Sequence, residues 1–235
     1  MKGNQGARHL MSVIGALIGI LSVFWLGPTG VTGQPSGQPG TEGAKIFKLC
    51  DPRLDGSVPV EKALQQRRSV RAYKDEGLNL DELAQVLWAA QGITDTSKGL
   101  RTAPSARAQY FVSVYVLAGK VAGLPQGLYR YVPKDHALVR LMESDVKGEL
   151  FKAVGQTPIK NAPVAIVLTG AADRATNPRW MALEAGHVSQ NIYLQAVPLG
   201  LGTVAIAGFT DEKVRGALKL SEKEQPLYIM PVGRK

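Results

Sequence analysis

Two continuous apolar segments limit the possible folds of this chain more than any other feature of its sequence. Phe111–Leu117 reads FVSVYVL, Pro163–Thr169 reads PVAIVLT, and both are rich in β-branched residues. Runs of this length and composition predict strands that are buried on both faces. The segments 127–132 and 137–142 predict a hairpin around Pro133-Lys134-Asp135. The chain is therefore expected to build a sheet with a buried centre.

Helical patterns alternate with these strands. One helix is predicted after a cap at Ser57, with Pro59 in its first turn, and a second between a cap at Asn79 and a stop at Gly92. Further helices are predicted over 144–155, 180–197 and 210–220, and further strands over 202–208 and 226–232. Hairpin strands and helices without a regular βαβ series favour an α+β fold.

The first 44 residues are expected to serve targeting rather than folding. Residues 1–9 carry basic residues and no acid, and residues 10–26 carry no charge. This pattern is typical of either a signal peptide or a membrane anchor, so residues 1–26 are assigned to one of these two. Residues 27–44 are rich in Gly, Pro, Thr and Ser and predict a flexible linker. The folded part, residues 45–235, is then expected to be exported or membrane-anchored, on the extracytoplasmic side.

Charge and cysteine content argue against several classes of function. The net charge is +9, but the chain has no long Lys/Arg run and no interleaving of basic and aromatic residues. Nucleic acid is therefore not an expected partner. The single cysteine, Cys50, can form neither an internal disulfide nor a thiolate metal site, and no metal site is predicted. No pattern of histidines, acids and serines indicates a hydrolase. If the protein is an enzyme, a bound cofactor is therefore expected to supply its reactive group.

Two local patterns are interpreted as structural. Gly200-Leu-Gly202-Thr-Val-Ala205 matches GxGxxA, but it follows a predicted helix and enters a strand. A dinucleotide-binding motif requires the opposite order. His187 follows Glu184 by three residues, which predicts a side-chain pair on one helix face rather than a catalytic base.

The segment RRSVRAY, residues 67–73, concentrates three arginines and a serine. If it runs extended, Arg67, Ser69 and Arg71 share one face, whereas Val70 and Ala72 face the core. Two guanidiniums and a hydroxyl on one face suit a phosphate. An ordinary solvated charge run is the alternative, and this segment alone does not decide between them.

Six segments in order resemble the nitroreductase superfamily of FMN-dependent enzymes. They are RRSVRAY at 67–73, VLWAAQGIT at 86–94, RTAPSARA at 101–108, GLPQGLYRY at 123–131, the segment 183–209, and PLYIMPVGR at 226–234. The sequence is most similar to the branch that includes the SagB-type dehydrogenases, which oxidise azolines in peptide-cyclising clusters. The resemblance implies an α+β nitroreductase-like fold with a central mixed sheet flanked by helices. It also implies a homodimer with its sites at the subunit interface.

The resemblance assigns roles to individual residues. Those implied to hold the FMN phosphate and ribityl chain are Arg67, Arg68, Ser69, Arg71 and, from the other side, Arg234. Those implied to lie along the flavin ring are Ala207 and Gly208, with Gln156 toward its pyrimidine. Those implied to come from the partner subunit are Pro104, Ser105 and Ala106.

Two positions depart from the family pattern. The family often has a glycine where Arg107 stands and a proline where Phe111 stands. A bulky arginine beside the flavin would either narrow the substrate pocket or bind an anionic substrate.

The implied activity is hydride transfer through flavin N5 to an electron-poor small molecule such as a quinone or a nitroaromatic. NAD(P)H is a possible reductant, although an extracytoplasmic location would favour a quinol or a protein. Two alternatives stay open. One is a flavin-dependent dehydrogenase of a small molecule or a peptide azoline, and the other is a flavin-binding module without catalysis.

Overall fold

The computed structural model describes residues 45–235, so the predicted targeting segment and linker lie outside the described residues. The helices are α1 (Val60–Gln66), α2 (Leu80–Gln91), α3 (Val146–Val154), α4 (Thr157–Asn161), α5 (Pro178–Ala196) and α6 (Asp211–Leu218). The strands are β1 (Ile46–Lys48), β2 (Leu78–Asn79), β3 (Ile93–Asp95), β4 (Leu100–Arg101), β5 (Val112–Ala118), β6 (Val121–Ala122), β7 (Gly127–Val132), β8 (Ala137–Met142), β9 (Val164–Ala171), β10 (Leu201–Thr203) and β11 (Glu224–Arg234). Among the described helices, none is long and apolar enough to cross a membrane.

The two apolar segments form the centre of the sheet, as the sequence predicts. The main sheet has seven strands in the order β1-β8-β7-β5-β9-β11-β10, and β5 and β9 pair from Val112 opposite Gly170 to Ala118 opposite Val164. Every neighbouring pair in this sheet is antiparallel, so the expectation of a mixed sheet is wrong. The predicted hairpin is confirmed as β7 and β8, which pair from Val132 opposite Ala137.

Helices cover both faces of this sheet because side chains alternate along each strand. On one face, Val114 and Val116 of β5 pack in a cluster that includes Leu87 of α2 and Val188 of α5. On the other face, Tyr115 and Leu117 belong to a second cluster that includes Leu150 of α3 and Val214 of α6. The result is an α+β fold with a three-layer arrangement.

The predicted cap of α2 and the predicted end of α3 are confirmed. Asn79 caps α2 in a capping box with Glu82, and Gly155 ends α3 in a left-handed conformation. Ser57 does not cap α1, because the helix begins at Val60 and Pro59 occupies the cap position.

Two other predicted boundaries move. Asp145, not Ser144, caps α3, because its carboxylate accepts bonds from the backbone N–H groups of Lys147 and Gly148. The strand predicted over 202–208 stops at Thr203, and Ile206 makes only an isolated bridge to Ile229.

Candidate flavin site

The arginine segment follows α1 and pairs with the end of β10. Ser69 lies opposite Thr203 in a parallel bridge, and the Val70 N–H donates to the Thr203 carbonyl at 2.8 Å. Val70 packs against Gly202, where a Cβ would lie 2.7 Å from the valine side chain. A glycine at position 202 therefore lets the segment approach β10.

Ala72 is exposed, so the prediction that it faces the core is wrong. Beyond Ala72 the chain contacts the end of β11, since the Lys74 N–H bonds to the Arg234 carbonyl at 3.0 Å. The ring of Tyr73, not Ala72, packs over Gly233. Burial raises the pKa of the Tyr73 hydroxyl, which therefore stays protonated at neutral pH.

Tyr193 of α5 organises the face formed by Arg67 and Ser69. The Arg67 guanidinium lies 5.0 Å from the centroid of the Tyr193 ring, a cation–π distance. The Tyr193 hydroxyl lies 3.1 Å from the Ser69 hydroxyl and accepts a bond from the Ala205 N–H at 2.8 Å. Tyr193, which is half-buried, thus fixes the arginine segment relative to the chain that follows β10.

Arg68 turns back toward the end of α1. Its Nη1 donates to the carbonyls of Gln65 and Arg67 at 3.0 and 2.7 Å. Arg68 also lines a cavity of about 230 Å³ together with Thr203 and Lys235. The Thr203 hydroxyl is buried there without a hydrogen-bond partner in the described structure. An orphaned donor in a cavity that two cations also line is the kind of surface that accepts an anion.

Arg71 and Arg234 differ in their surroundings. Arg71 is exposed and, like Arg67 and Arg68, forms no ion pair within residues 45–235. The Arg234 guanidinium is paired with Glu82 at 2.9 Å and with Glu76 at 3.4 Å. Of the cations implied to hold a phosphate, Arg234 is the one whose charge two carboxylates already balance.

Pro104, Ser105 and Ala106 lie against a different part of α5. The Ser105 hydroxyl donates to Glu184 at 2.6 Å, and the Pro104 carbonyl lies 3.2 Å from His187 Nδ1. His187 precedes Tyr193 by six residues, or about 9 Å along the helix axis. Within one chain, the residues assigned to the phosphate therefore contact α5 at Tyr193. The residues assigned to the partner's flavin contact it at Glu184 and His187.

Glu184 is a buried carboxylate that the sequence analysis misassigned. Its Oε1 accepts from Gln91 Nε2 at 3.1 Å and from the Val112 N–H at 3.0 Å. Its Oε2 accepts from Ser105 and, at 3.1 Å, from the Phe111 N–H. The predicted pair with His187 is therefore wrong, because the carboxylate turns inward to bind the loop before β5.

That loop holds a strained backbone. Arg107, Ala108 and Tyr110 have φ values of 55°, 52° and 49°, a region that non-glycine residues rarely adopt. Each such residue costs on the order of 1 kcal/mol or more and persists only where its surroundings fix it. Hydrogen bonds to Glu184 from Ser105 on one side, and from the Phe111 and Val112 N–H groups on the other, fix the chain around these residues.

The remaining predicted residues lie at the surface. Ala207 and Gly208 are exposed after the Ile206 bridge, and a Cβ at Gly208 would meet nothing within 4 Å. A planar ring could approach this backbone without a clash. Gln156 is half-buried at the start of α4, with no capping bond from its side chain and no described contact to the arginine segment.

Comparison with known proteins decides the family. A profile of the Nitroreductase family matches residues 64–234. The chain belongs to the nitroreductase family. A provisionally named nitroreductase of Methanocaldococcus jannaschii is 42% identical over 185 residues, which cover 76% of this chain and 92% of that protein.

Solved structures show the same fold. A provisionally named nitroreductase from Ralstonia eutropha superposes with a TM-score of 0.71 at 28% identity, covering 80% of this chain and 89% of that one. An FMN-dependent nitroreductase from Clostridium difficile has a TM-score of 0.53 at 24% identity, covering 74% of this chain and 86% of that one. The expected family, fold and oxidoreductase class are confirmed, whereas membership of the SagB-type branch stays a prediction.

Proposed function

We propose that this flavin-dependent oxidoreductase binds FMN through the extended segment after α1. The observation that carries the proposal is the fixed face of Arg67 and Ser69, which Tyr193 holds in place. No acid within residues 45–235 forms an ion pair with Arg67, Arg68 or Arg71. A phosphate would supply the missing negative charge, because guanidiniums and a hydroxyl donate to its oxygens.

The residues of this chain would divide the work of binding. Arg67, Ser69 and Arg71 would bind the phosphate and ribityl chain, whereas the charge of Arg234 is already paired with Glu82 and Glu76. Ala207 and Gly208 would lie along the flavin ring, where their exposed backbone leaves room. Gln156 stays a candidate for the pyrimidine edge.

FMN supplies hydride transfer at N5 when it is bound, and the protein contributes binding and orientation. This fits a site whose polar groups are donors to an anion rather than an acid–base pair. We propose a quinone or a nitroaromatic as acceptor, with NAD(P)H as donor. A quinol or a protein would replace NAD(P)H if residues 1–26 direct the domain across a membrane or anchor it there.

We also propose a homodimer in which Pro104, Ser105 and Ala106 reach the partner's flavin. Apolar side chains at Leu54 and Val60 are 78% and 56% exposed. They line a cavity of about 580 Å³ that also includes Trp88 of α2 and Leu194 of α5. Exposed apolar surface of this kind is typical of a protein–protein contact. Light scattering of the purified chain should give twice the monomer mass.

The double variant Arg67→Ala with Arg71→Ala tests the phosphate role. We expect it to lose bound FMN while its circular dichroism and unfolding transition stay close to wild type. Lys134→Ala with Lys213→Ala is the matched control, because it removes two exposed positive charges elsewhere. Full FMN occupancy in the arginine variant would refute the phosphate role of the segment.

A further inference from the structure

Arg107, Arg174 and Trp180 form a basic and aromatic surface, here called the Arg107 patch. The Arg107 guanidinium carbon lies 5.5 Å from the centroid of the Trp180 ring, which packs against Phe111 at a centroid distance of 6.3 Å. Arg174 Nη2 donates to the carbonyl of Tyr110 at 3.0 Å. Two guanidiniums from separate segments therefore converge on one loop.

The positive charge of this patch has no ionic partner among residues 45–235. Neither Arg107 nor Arg174 forms an ion pair, and the Arg107 guanidinium makes no hydrogen bond there. The adjacent acid Asp173 is paired with Lys223 at 3.3 Å. The other acid in contact with this loop, Glu184, is buried and already accepts four hydrogen bonds.

A third guanidinium, that of Arg101, lies next to the patch. The guanidinium carbon of Arg101 lies 4.4 Å from the centroid of the Tyr110 ring. Burial lowers the pKa of Arg101, with Glu184 opposing that effect, and Arg101 stays charged at neutral pH. Its Nη1 donates to Gln91 at 3.1 Å, and its Nε is buried without a hydrogen-bond partner in the described structure.

The backbone fixes where Arg107 points. Arg107 and Ala108 are left-handed, and the Ala108 N–H bonds to the Ser105 carbonyl at 3.1 Å. A glycine would adopt this conformation without strain, whereas an arginine holds it against its backbone preference. A guanidinium stacked on an indole keeps its edge N–H groups free, and these suit a carboxylate bidentately.

We propose that Arg107, stacked on Trp180 and assisted by Arg174, binds a carboxylate of the electron acceptor. This inference rests on the function proposed above, because Arg107 directly follows the residues assigned to the flavin site, Pro104–Ala106. It selects between the two roles expected for Arg107: recognition of an anionic substrate rather than narrowing of the pocket. The acceptor class is then an anionic, carboxylate-bearing aromatic compound.

Two probe acceptors of similar shape test the proposal on the flavin-loaded full chain. The wild-type protein should reduce 4-nitrobenzoate with a lower KM than the neutral 4-nitrobenzamide. In Arg107→Gly, which suits the left-handed backbone, the KM for 4-nitrobenzoate should rise about tenfold or more, the effect of losing a charged hydrogen-bonded pair. The KM for 4-nitrobenzamide should change less than about twofold. Lys213→Ala, which removes one exposed charge on α6, should leave both unchanged.

Equilibrium binding of benzoate, measured by calorimetry on the same proteins, provides a readout that needs no turnover. Benzoate should bind the wild-type protein and Lys213→Ala, and it should lose most of its affinity in Arg107→Gly. Equal benzoate binding by the wild type and Arg107→Gly, or no binding to either, would overturn the proposal. A protein without flavin that reduces neither probe would refute the proposed function, and benzoate binding would still decide the role of the patch.

Discussion

Replacing Glu184 by glutamine should loosen the loop that precedes β5. Glu184 is only 1% exposed and its two oxygens accept four hydrogen bonds, two of them from the backbone N–H groups of Phe111 and Val112. In glutamine one oxygen becomes an NH₂ group, which cannot accept. Either orientation of the new amide therefore places a donor against one of these two N–H groups.

The magnitude follows from that lost acceptor. A buried donor without a partner costs about 1–3 kcal/mol, and the other bonds lose the strength of a charged acceptor. We expect Glu184→Gln to lower the free energy of unfolding by about 3 kcal/mol. For a domain of this size that corresponds to a fall in Tm of roughly 6–12 °C.

Urea unfolding followed by circular dichroism measures this loss directly. Glu222→Gln is the matched control, because Glu222 is exposed and forms no ion pair among the described residues. If Glu184→Gln lies within about 0.5 kcal/mol of wild type, as a surface change would, the carboxylate does not fix the loop.

Three further changes test separate parts of the fold. Asn79→Ala removes the capping box of α2 and should lower the free energy of unfolding by about 1 kcal/mol in urea. Gly202→Ala places a methyl group against Val70 and should both destabilise the protein by roughly 1–3 kcal/mol and reduce flavin retention, whereas Gly216→Ala, with nothing within 4 Å, should do neither. Burial lowers the pKa of His136 in the folded protein, so as the pH falls the unfolded chain takes up a proton at this residue before the folded protein does. The free energy of unfolding should therefore fall as the pH drops below about 6.5. His136→Asn, which tolerates the left-handed backbone, should lack that part of the pH dependence in unfolding titrations.

Local patterns in the sequence predicted most of the fold. The β-branched runs of β5 and β9 and the capped helix α2 carry strong signals over short distances, and the structure confirms all three. Direction between strands depends on connections across the whole chain, which is why the antiparallel sheet was not predicted. The shortened β10 reflects a strand whose last residues pair only once with β11.

In the candidate site, too, local patterns predict some features, whereas others depend on distant parts of the chain. The shared face of Arg67 and Ser69 is what an extended segment implies, because its side chains alternate with a period of two. Local patterns do not predict the roles of Tyr193 and Glu184, since each acts through partners far away in the sequence. The position of Glu184 among the apolar residues of α5 indicates a buried carboxylate. The predicted pair with His187 instead places it at the surface.

The most direct test of the central claim is the identity of the ligand that the protein carries. The full chain, purified without added flavin and then denatured, should release one FMN per chain, identified by its visible spectrum and its mass. A colourless protein that also fails to take up added FMN would contradict the account.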